Sequence, residues 1–358
     1  MSQAYSPTPE TAPDQRPHSS RVVLLAWVAA LVMALGAGGA AIWQVSEKIY
    51  TPGHTAEEYW DSMTRGSGSE ALGFFDAGVY GDSGEEGVDS VLLDGEALER
   101  STAGIENPRF GENPANSGNA VMQFQVEGED YETALPMESQ ETTLAFFQNW
   151  ELTADSMSEL QIDVPGAAAG GIAAITVNGQ PVNLVDDSVT MRAYVPAVVE
   201  IEVESEWLVG ASRYVVVDGA EGEDEDQAHQ ITLDLEASEA AEEVLHEEVS
   251  AYLDSCAEQQ VLMPAGCPMG INTPNQVVTE SINWRMPEPD ELALDFDAEG
   301  WETSDTDLEA TINFDSRHFH DGASLQESHQ VDFDLDIEVG ASGEELIVAV
   351  TGAAGPGL

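Results

Sequence analysis

Residues 22–43, VVLLAWVAALVMALGAGGAAIW, separate a short polar N-terminal segment from a long acidic body. The stretch contains no charged residue. As a helix rising about 1.5 Å per residue it would reach roughly 33 Å, enough for a bilayer core of about 30 Å. Val22 begins the stretch and Trp43 ends it, where an indole can bury its ring and keep its N–H in water. We therefore predict one transmembrane helix over residues 22–43, which attaches the protein to a membrane.

The flanks of this stretch bear on cleavage and orientation. A signal peptide has an apolar core of about 7–15 residues followed by small residues at a cleavage site. This core is longer, although the small residues at 36–40 leave cleavage open as an alternative. Arg16 and Arg21 precede the stretch and Lys48 alone follows closely, so the positive-inside rule places the N-terminus in the cytoplasm. We predict a single-pass protein of the cell membrane with an extracytoplasmic C-terminal body.

The charge balance limits the partners of that body. The chain has 68 acidic and 10 basic residues, a formal net charge of −58, and all but three of each kind lie after residue 48. Nucleic acid is excluded as a partner, because its affinity comes from Lys and Arg that neutralise phosphates. Basic proteins or peptides, and weakly bound divalent cations, are compatible partners. Solvation in a salty medium, or a lineage-wide acidic bias, is the alternative explanation of the charge.

Residues 1–21 are rich in Pro, Ser and Thr, and this composition predicts a disordered cytoplasmic tail. We interpret residues 44–54, after the apolar stretch, as a short stalk. A domain over residues 55–153 then opens with a helix. Thr55 can cap this helix, with Glu58 completing a capping box. Its apolar face recurs at helical spacing, and two short helices and several alternating strands follow. That face consists of Ala56, Tyr59, Trp60 and Met63.

The order of helices before long strands resembles the nuclear-transport-factor-like cone fold of extracytoplasmic bacterial proteins. The matching residues are Tyr59-Trp60-Asp61, Gly66 and Gly68, Ala71-Leu72, and Trp150 with Leu152. Some members of that fold are enzymes that use Asp/His pairs, whereas others only bind or build structure. Between residues 55 and 153 there is no histidine, so we do not expect an enzymatic cone.

Residues 154–220 predict a small Ig-like β module. Asn178-Gly179 lies between two β-rich runs and is a strong hairpin signal. The segments ITVNG, at 175–179, and YVP, at 194–196, resemble the β modules of the teicoplanin-resistance-associated membrane protein family. This chain lacks the zinc ribbon of that family and has the cone-like domain first. The resemblance implies a role in the cell envelope near peptidoglycan, without implying catalysis.

An acidic linker is predicted over residues 221–229, and a C-terminal α+β domain over residues 230–358. This domain should contain a helix over 238–259 and an antiparallel sheet. Cys256 and Cys267 are the only cysteines, and we predict a disulfide that stabilises the fold by about 3 kcal/mol. The loop between them resembles one that recurs in actinobacterial anchored proteins.

A metal site is conceivable around three histidines of this last domain. On a strand, His318 and His320 would point to one face, and His329 or Asp332 from a neighbouring strand could join them to bind zinc or copper. The alternative interpretation has two exposed histidines flanking a buried Phe319.

The predicted fold class is therefore an α+β multidomain ectodomain on one N-terminal transmembrane helix. It comprises a cone-like domain, a small β-sandwich, and a helix-plus-antiparallel-sheet domain. No catalytic or cofactor motif such as GxSxG, SxxK or HExxH occurs. We expect a non-enzymatic protein without a cofactor that binds or scaffolds cell-envelope components. The alternative is an extracytoplasmic hydrolase or metal-binding protein with an unrecognised site.

Overall fold

The computed structural model describes residues 24–37, 50–76, 87–112, 118–140, 149–203, 205–217, 229–290, 292–304, 306–342 and 345–352. Over these residues the protein is a mixed α+β structure, with many strands arranged in several sheets and few helices. The predicted tail (1–21), most of the stalk (44–54) and nearly all of the acidic linker (221–229) lie outside the described residues.

The first helix, α1, covers residues 24–37, and its side chains are exposed. Residues 22–23 and 38–43 of the predicted transmembrane segment lie outside the described residues. Across the described part of the chain, we find no helix with the length and apolar character needed to span a bilayer. The transmembrane helix over 22–43 stays a prediction.

The first folded unit packs three helices on one face of a four-stranded antiparallel sheet. The helices are α2 (Pro52–Thr64), α3 (Gly68–Leu72) and α4 (Gly95–Ala103). Two short elements precede α4, the strand β1 (Val88–Asp89) and a 3-10 turn (Val91–Leu93). The sheet contains β2 (Glu106–Glu112), β3 (Asn119–Val126), β4 (Glu129–Gln140) and β5 (Asn149–Leu152), in that order. Because β3 alternates inward Met122 and Phe124 with outward Gln123, one face is buried under the helices.

The first helix of this unit starts earlier than the sequence suggested. Thr51, not Thr55, is its N-cap, because the Thr51 hydroxyl accepts a hydrogen bond from the His54 N–H at 3.2 Å and Pro52 occupies the first turn. The predicted apolar face is confirmed, since Ala56, Tyr59, Trp60 and Met63 are all buried.

Two further sheets enclose the second core. One sheet has the order β1-β9-β6-β13, and comprises β1, β9 (Ser188–Tyr194), β6 (Met157–Asp163) and β13 (His229–Thr232). The other has the order β12-β10-β7-β8, and comprises β12 (Ala211–Val216), β10 (Ala197–Glu202), β7 (Ala174–Val177) and β8 (Gln180–Asn183). A small ladder joins β11 (Leu208–Val209) to β14 (Glu236–Ala237). The predicted Asn178-Gly179 hairpin is confirmed, with both residues at positive φ between β7 and β8.

Strands from outside residues 154–220 complete this second unit. β1 pairs in parallel with β9, and β13 pairs in parallel with β6. Residues 230–232, which the sequence assigned to the C-terminal domain, therefore lie in the β1-β9-β6-β13 sheet of the second unit. The reason is that apolar and polar side chains alternate over residues 231–235. Ile231, Leu233 and Leu235 are buried in the second core.

The third unit packs one helix against an antiparallel sheet. The helix α5 (Glu239–Ala257) is capped by the Ser238 hydroxyl, which accepts from the Ala241 N–H at 3.2 Å. The strands are β15 (Gln276–Val277), β16 (Asn283–Arg285), β17 (Ala293–Asp297), β18 (Gly300–Ser304), β19 (Asp307–Arg317), β20 (Ser324–Ser342) and β21 (Glu345–Gly352). β17 and β18 form a separate hairpin, while β15 and β16 both pair with β19. β20 pairs with β19 along its first half and with β21 along its second half.

A buried polar contact joins the first two units. Asn178 is 1% exposed, and its amide group donates to the Ala97 carbonyl at 3.2 Å, to the Ser101 hydroxyl at 2.8 Å and to the Val198 carbonyl at 3.1 Å. Its carbonyl oxygen accepts from the Glu200 N–H at 2.7 Å. The tip of the β7–β8 hairpin is thus fixed to both α4 and β10.

We predict that Asn178→Ala lowers the free energy of unfolding by about 3 kcal/mol, because it leaves several buried groups unpaired and places Ala at a left-handed φ. The measurement is urea unfolding of the full chain at moderate salt. Asn183→Ala, at the exposed end of the same hairpin, should change that free energy by less than about 0.5 kcal/mol. Equal effects of the two substitutions would contradict the role of the Asn178 contact.

Candidate functional site

The two histidines expected on a strand lie instead in the loop that closes the β19–β20 hairpin. β19 ends at Arg317 and β20 begins at Ser324. The loop is held by hydrogen bonds from the His318 N–H to the Ala323 carbonyl and from the Gly322 N–H to the His318 carbonyl, both at 2.9 Å. Gly322 has a φ of +71°, a left-handed conformation that glycine adopts readily in a tight turn. Phe319 is 73% exposed, so the expectation of a buried Phe319 on a strand is wrong.

Within this loop, His318 pairs with Asp321 rather than with the other predicted ligands. His318 Nδ1 lies 2.9 Å from Asp321 Oδ1, and the rings of His318 and His320 are 5.6 Å apart. The Ala323 N–H, and then His318, lower the pKa of the Asp321 carboxyl by hydrogen bonding. The loop therefore has two imidazoles and a carboxylate at its exposed tip.

The third predicted ligand, His329, lies far along β20. It is opposite Ile312, five residues from the hairpin end, or about 16 Å along a strand. Its ring stacks on Phe314, with centroids 5.9 Å apart. Among the described residues, the three histidines do not form a group whose ligand atoms lie within 4.8 Å of one another. A zinc or copper site that uses all three has no geometric support.

Glu327 is the centre of a polar cluster beside His329. It accepts hydrogen bonds from the Ser316 hydroxyl, from the Asn275 amide at 2.9 Å and from His329 Nε2 at 3.2 Å. These bonds lower the pKa of the Glu327 carboxyl, those from Ser316 and Asn275 most strongly. Neither Asn275 nor Ser316 was singled out from the sequence, because Asn275 reaches Glu327 only through the pairing of β15 with β19.

The order of groups in this cluster does not activate a nucleophile. In a Ser-His-Asp arrangement the imidazole lies between the hydroxyl and the carboxylate, so that it can take the hydroxyl proton. Here the Glu327 carboxylate lies between Ser316 and His329. The cluster instead fixes β15 and the two long strands to one another.

Seven exposed carboxylates lie on the outer face of β19 and β20, and we call six of them, all but Asp315, the acidic sheet face. The cause is strict alternation in the segment VDFDLDIEV, at 331–339, which places apolar side chains on the core and acids outside. Asp307 faces Asp334, and Glu309 faces Asp332, directly across the two strands. The six residues are Asp307, Glu309, Asp332, Asp334, Asp336 and Glu338.

Like charges opposite each other on a sheet are destabilising. The hydrogen bond that Asp334 shares with Asp307, and the charge of Asp307, raise the pKa of the Asp334 carboxyl. The protein therefore keeps an arrangement here that opposes folding. The alternation was visible in the sequence, but the facing of Asp307 and Asp334 depends on the strand register.

A second group of acids lies at the turn between β17 and β18. Ligand atoms of Asp297, Glu299 and Glu302 lie within 4.8 Å of one another, and the three residues are exposed. Asp297 also accepts a hydrogen bond from the Glu299 N–H at 2.7 Å. Such exposed groups are common in acidic chains, and this one is no more than compatible with weak binding of a divalent cation.

The predicted disulfide between Cys256 and Cys267 is present, and it ties the end of α5 to the following loop. Tyr252 donates to the Gly266 carbonyl at 2.8 Å, and Trp284 donates from its indole to the Val261 carbonyl at 2.8 Å. Cys256 is fully buried in the third core. The loop is thus attached to the helix by a covalent bond and to β16 by a hydrogen bond.

We predict that Asp334→Asn stabilises the protein at neutral pH and low salt. In the folded state the pKa of Asp334 is raised, so its contribution to stability is lost as the pH rises from its ordinary value through the raised value. The Asn variant escapes that loss, and its advantage in melting temperature should grow over this pH window and shrink in high salt. Asp336→Asn, which removes the same charge opposite Thr351, should give a smaller gain. A gain that is equal for both variants would show only relief of the net charge.

We also predict that Cys256→Ala with Cys267→Ala lowers the free energy of unfolding by about 3 kcal/mol, because the unfolded chain regains the freedom of an open loop. Urea unfolding with and without reductant measures this. Reductant should weaken the wild type and leave the double variant unchanged. If reductant has no effect on the wild type, the bond does not contribute to stability.

No family model, no curated protein and no solved structure matches this chain. The resemblance to the teicoplanin-resistance-associated membrane proteins therefore rests on the sequence pattern alone.

Proposed function

We propose that this protein is a membrane-anchored, acidic, extracytoplasmic protein with a non-enzymatic binding or scaffolding role in the cell envelope. The observation that carries the proposal is the acidic sheet face, where six exposed carboxylates occupy one ordered surface of a chain with a net charge of −58. Such a surface attracts basic proteins and peptides and repels nucleic acid.

The proposed location draws on the disulfide and on the N-terminal sequence. Structural disulfides persist in oxidising compartments and are rare in the cytosol, and the only two cysteines of this chain are joined. The uncharged stretch 22–43, preceded by Arg16 and Arg21, would anchor the body with its N-terminus in the cytoplasm.

A binding role is favoured over catalysis by the way that the first unit is filled. Tyr59, Met63, Met122, Leu135 and Leu152 are all fully buried between the helices and the sheet. The space between the helices and the sheet is thus filled by these side chains. The cone-like identity of residues 55–153 and the Ig-like identity of 154–220 belong to this proposal. Helices on one sheet and two sheets around one core support them.

The test is affinity capture from the native envelope with the tagged full chain at low and moderate salt. We expect a set of basic envelope proteins to be retained at moderate salt. Replacing Asp332, Asp334, Asp336 and Glu338 by their amides should abolish that retention, because the charge of the face is lost.

A matched control removes the same charge elsewhere. Glu242, Glu243, Glu247 and Glu248 are exposed on α5, and their replacement by Gln should leave the retained set unchanged. If both variants lose the partners equally, or if moderate salt removes every partner from the wild type, the charge only gathers cations and the scaffolding role fails.

A further inference from the structure

A shallow cavity of 390 Å³ lies on the sheet of the first unit, over strands β2, β3 and β4. Small-molecule sites begin at about 300 Å³, so this volume suits a small ligand. The lining residues are Asn107, Arg109, Gln123, Phe124, Gln125, Asp130, Tyr131 and Glu132. They include three amides and two acids, the side-chain types that form paired hydrogen bonds in a plane.

The polar lining is held in place by contacts across the strands. Gln123 donates to Glu132 at 2.7 Å, and Gln125 donates to Asp130 at 2.8 Å. The Asn107 amide, at a bulge in β2 with a φ of +53°, donates to the Gln125 carbonyl oxygen at 3.0 Å. Each amide and carboxylate therefore keeps a fixed direction while retaining hydrogen-bonding capacity for a ligand.

An aromatic pair lies on the opposite, core-facing side of the same strands, because Phe124 and Tyr131 alternate with the polar residues that form the cavity surface. The rings of Phe124 and Tyr131 stack with centroids 5.7 Å apart and planes at 16°. The Tyr131 hydroxyl is oriented by Glu129, from which it lies 3.1 Å. The surface that the cavity offers is therefore polar, and a ligand that meets it must offer hydroxyl-type hydrogen-bonding groups.

The local charge is almost balanced, unlike that of the rest of the surface. The cavity has two carboxylates, and these face one guanidinium, that of Arg109. Among the described residues, Arg65, Arg100, Arg192 and Arg213 pair with carboxylates, whereas Arg109, like Arg285 and Arg317, has no carboxylate within 4.0 Å.

This balance narrows the class of ligand. A polyanion would meet two carboxylates and only one cation, and a cationic peptide would find stronger attraction on the acidic sheet face. An apolar ligand would cover the guanidinium, and the hydrogen-bonding capacity that the amides still have, without satisfying either, which is costly. A neutral, polyhydroxylated molecule satisfies the lining.

We propose that the cavity over β2–β4 is a binding site for a neutral glycan, in which Asn107, Gln123 and Gln125 bond sugar hydroxyls and Arg109 donates to a ring or hydroxyl oxygen. This inference rests on the proposed binding role in the envelope and names one ligand class for it. It does not involve the acidic sheet face, so the two surfaces can be tested separately.

The test is isothermal titration calorimetry of the full chain with cellobiose and with N,N′-diacetylchitobiose, and with spermidine as a cationic probe. We expect at least one neutral disaccharide to bind, with a Kd that moderate salt leaves unchanged. Gln125→Ala and Arg109→Ala should each weaken that binding at least tenfold.

Gln330→Ala is the matched control, because Gln330 donates to Glu309 at 2.8 Å in a similar cross-strand pair outside the cavity. It should bind the disaccharide as the wild type does. The inference is overturned if neither disaccharide binds, if only spermidine binds, or if Gln125→Ala retains wild-type affinity. Envelope capture that still succeeds in those cases would leave the proposed function standing and remove only the glycan site.

Discussion

The four hydrogen bonds of the buried Asn178 side chain are the contact on which the arrangement of the first two units depends. They join the Ala97 carbonyl and the Ser101 hydroxyl of α4 to the Val198 carbonyl and the Glu200 N–H of β10 through one side chain. Two tyrosines act in the same way nearby, since Tyr59 donates to the Val195 carbonyl at 3.1 Å and Tyr194 donates to the Gly68 carbonyl at 3.0 Å. Each hydroxyl donates to a backbone carbonyl of the other unit. Separation of the two units would therefore break both hydrogen bonds. The described parts of the first and second units therefore pack as one body.

The buried cores have to offset the electrostatic repulsion among the surface carboxylates of a chain with a net charge of −58. Each strand with acids on one face has apolar side chains on the other, as in β20, where Phe333 and Leu335 are buried between exposed aspartates. Burial of those side chains is not screened by salt, whereas the repulsion between surface acids is. The stability of this protein should therefore depend on ionic strength mainly through its outer faces. The buried cores determine the fold, and the salt concentration of the medium determines how far the repulsion between surface acids lowers the free energy of unfolding.

The sequence was most informative where a signal is local. Tyr59 and Trp60 on α2, the start of α5 near residue 238, the Asn178-Gly179 turn and the Cys256–Cys267 bond all follow from spacing within about a dozen residues. It failed where strands distant in the chain are paired. β13 pairs in parallel with β6, far from it in the chain, and an H-x-H motif that could lie on a strand lies in a turn, because β19 ends at Arg317. The amide ladder around Gln125 was invisible for the same reason, since it combines three strands.

The two proposed surfaces differ in how far their attraction extends, and this gives them separate tasks. Carboxylates on the acidic sheet face act over about 10 Å at moderate salt, which accelerates encounter and selects basic partners but discriminates little among them. The cavity near Arg109 acts only at contact, through directional hydrogen bonds that a ligand must match. An acidic body that carries both can approach basic proteins of an envelope electrostatically while it recognises a neutral component by shape. Since the cavity lies on β2–β4 of the first unit and the acidic face on β19–β20 of the third, one surface can be occupied without removing any contact made by the other.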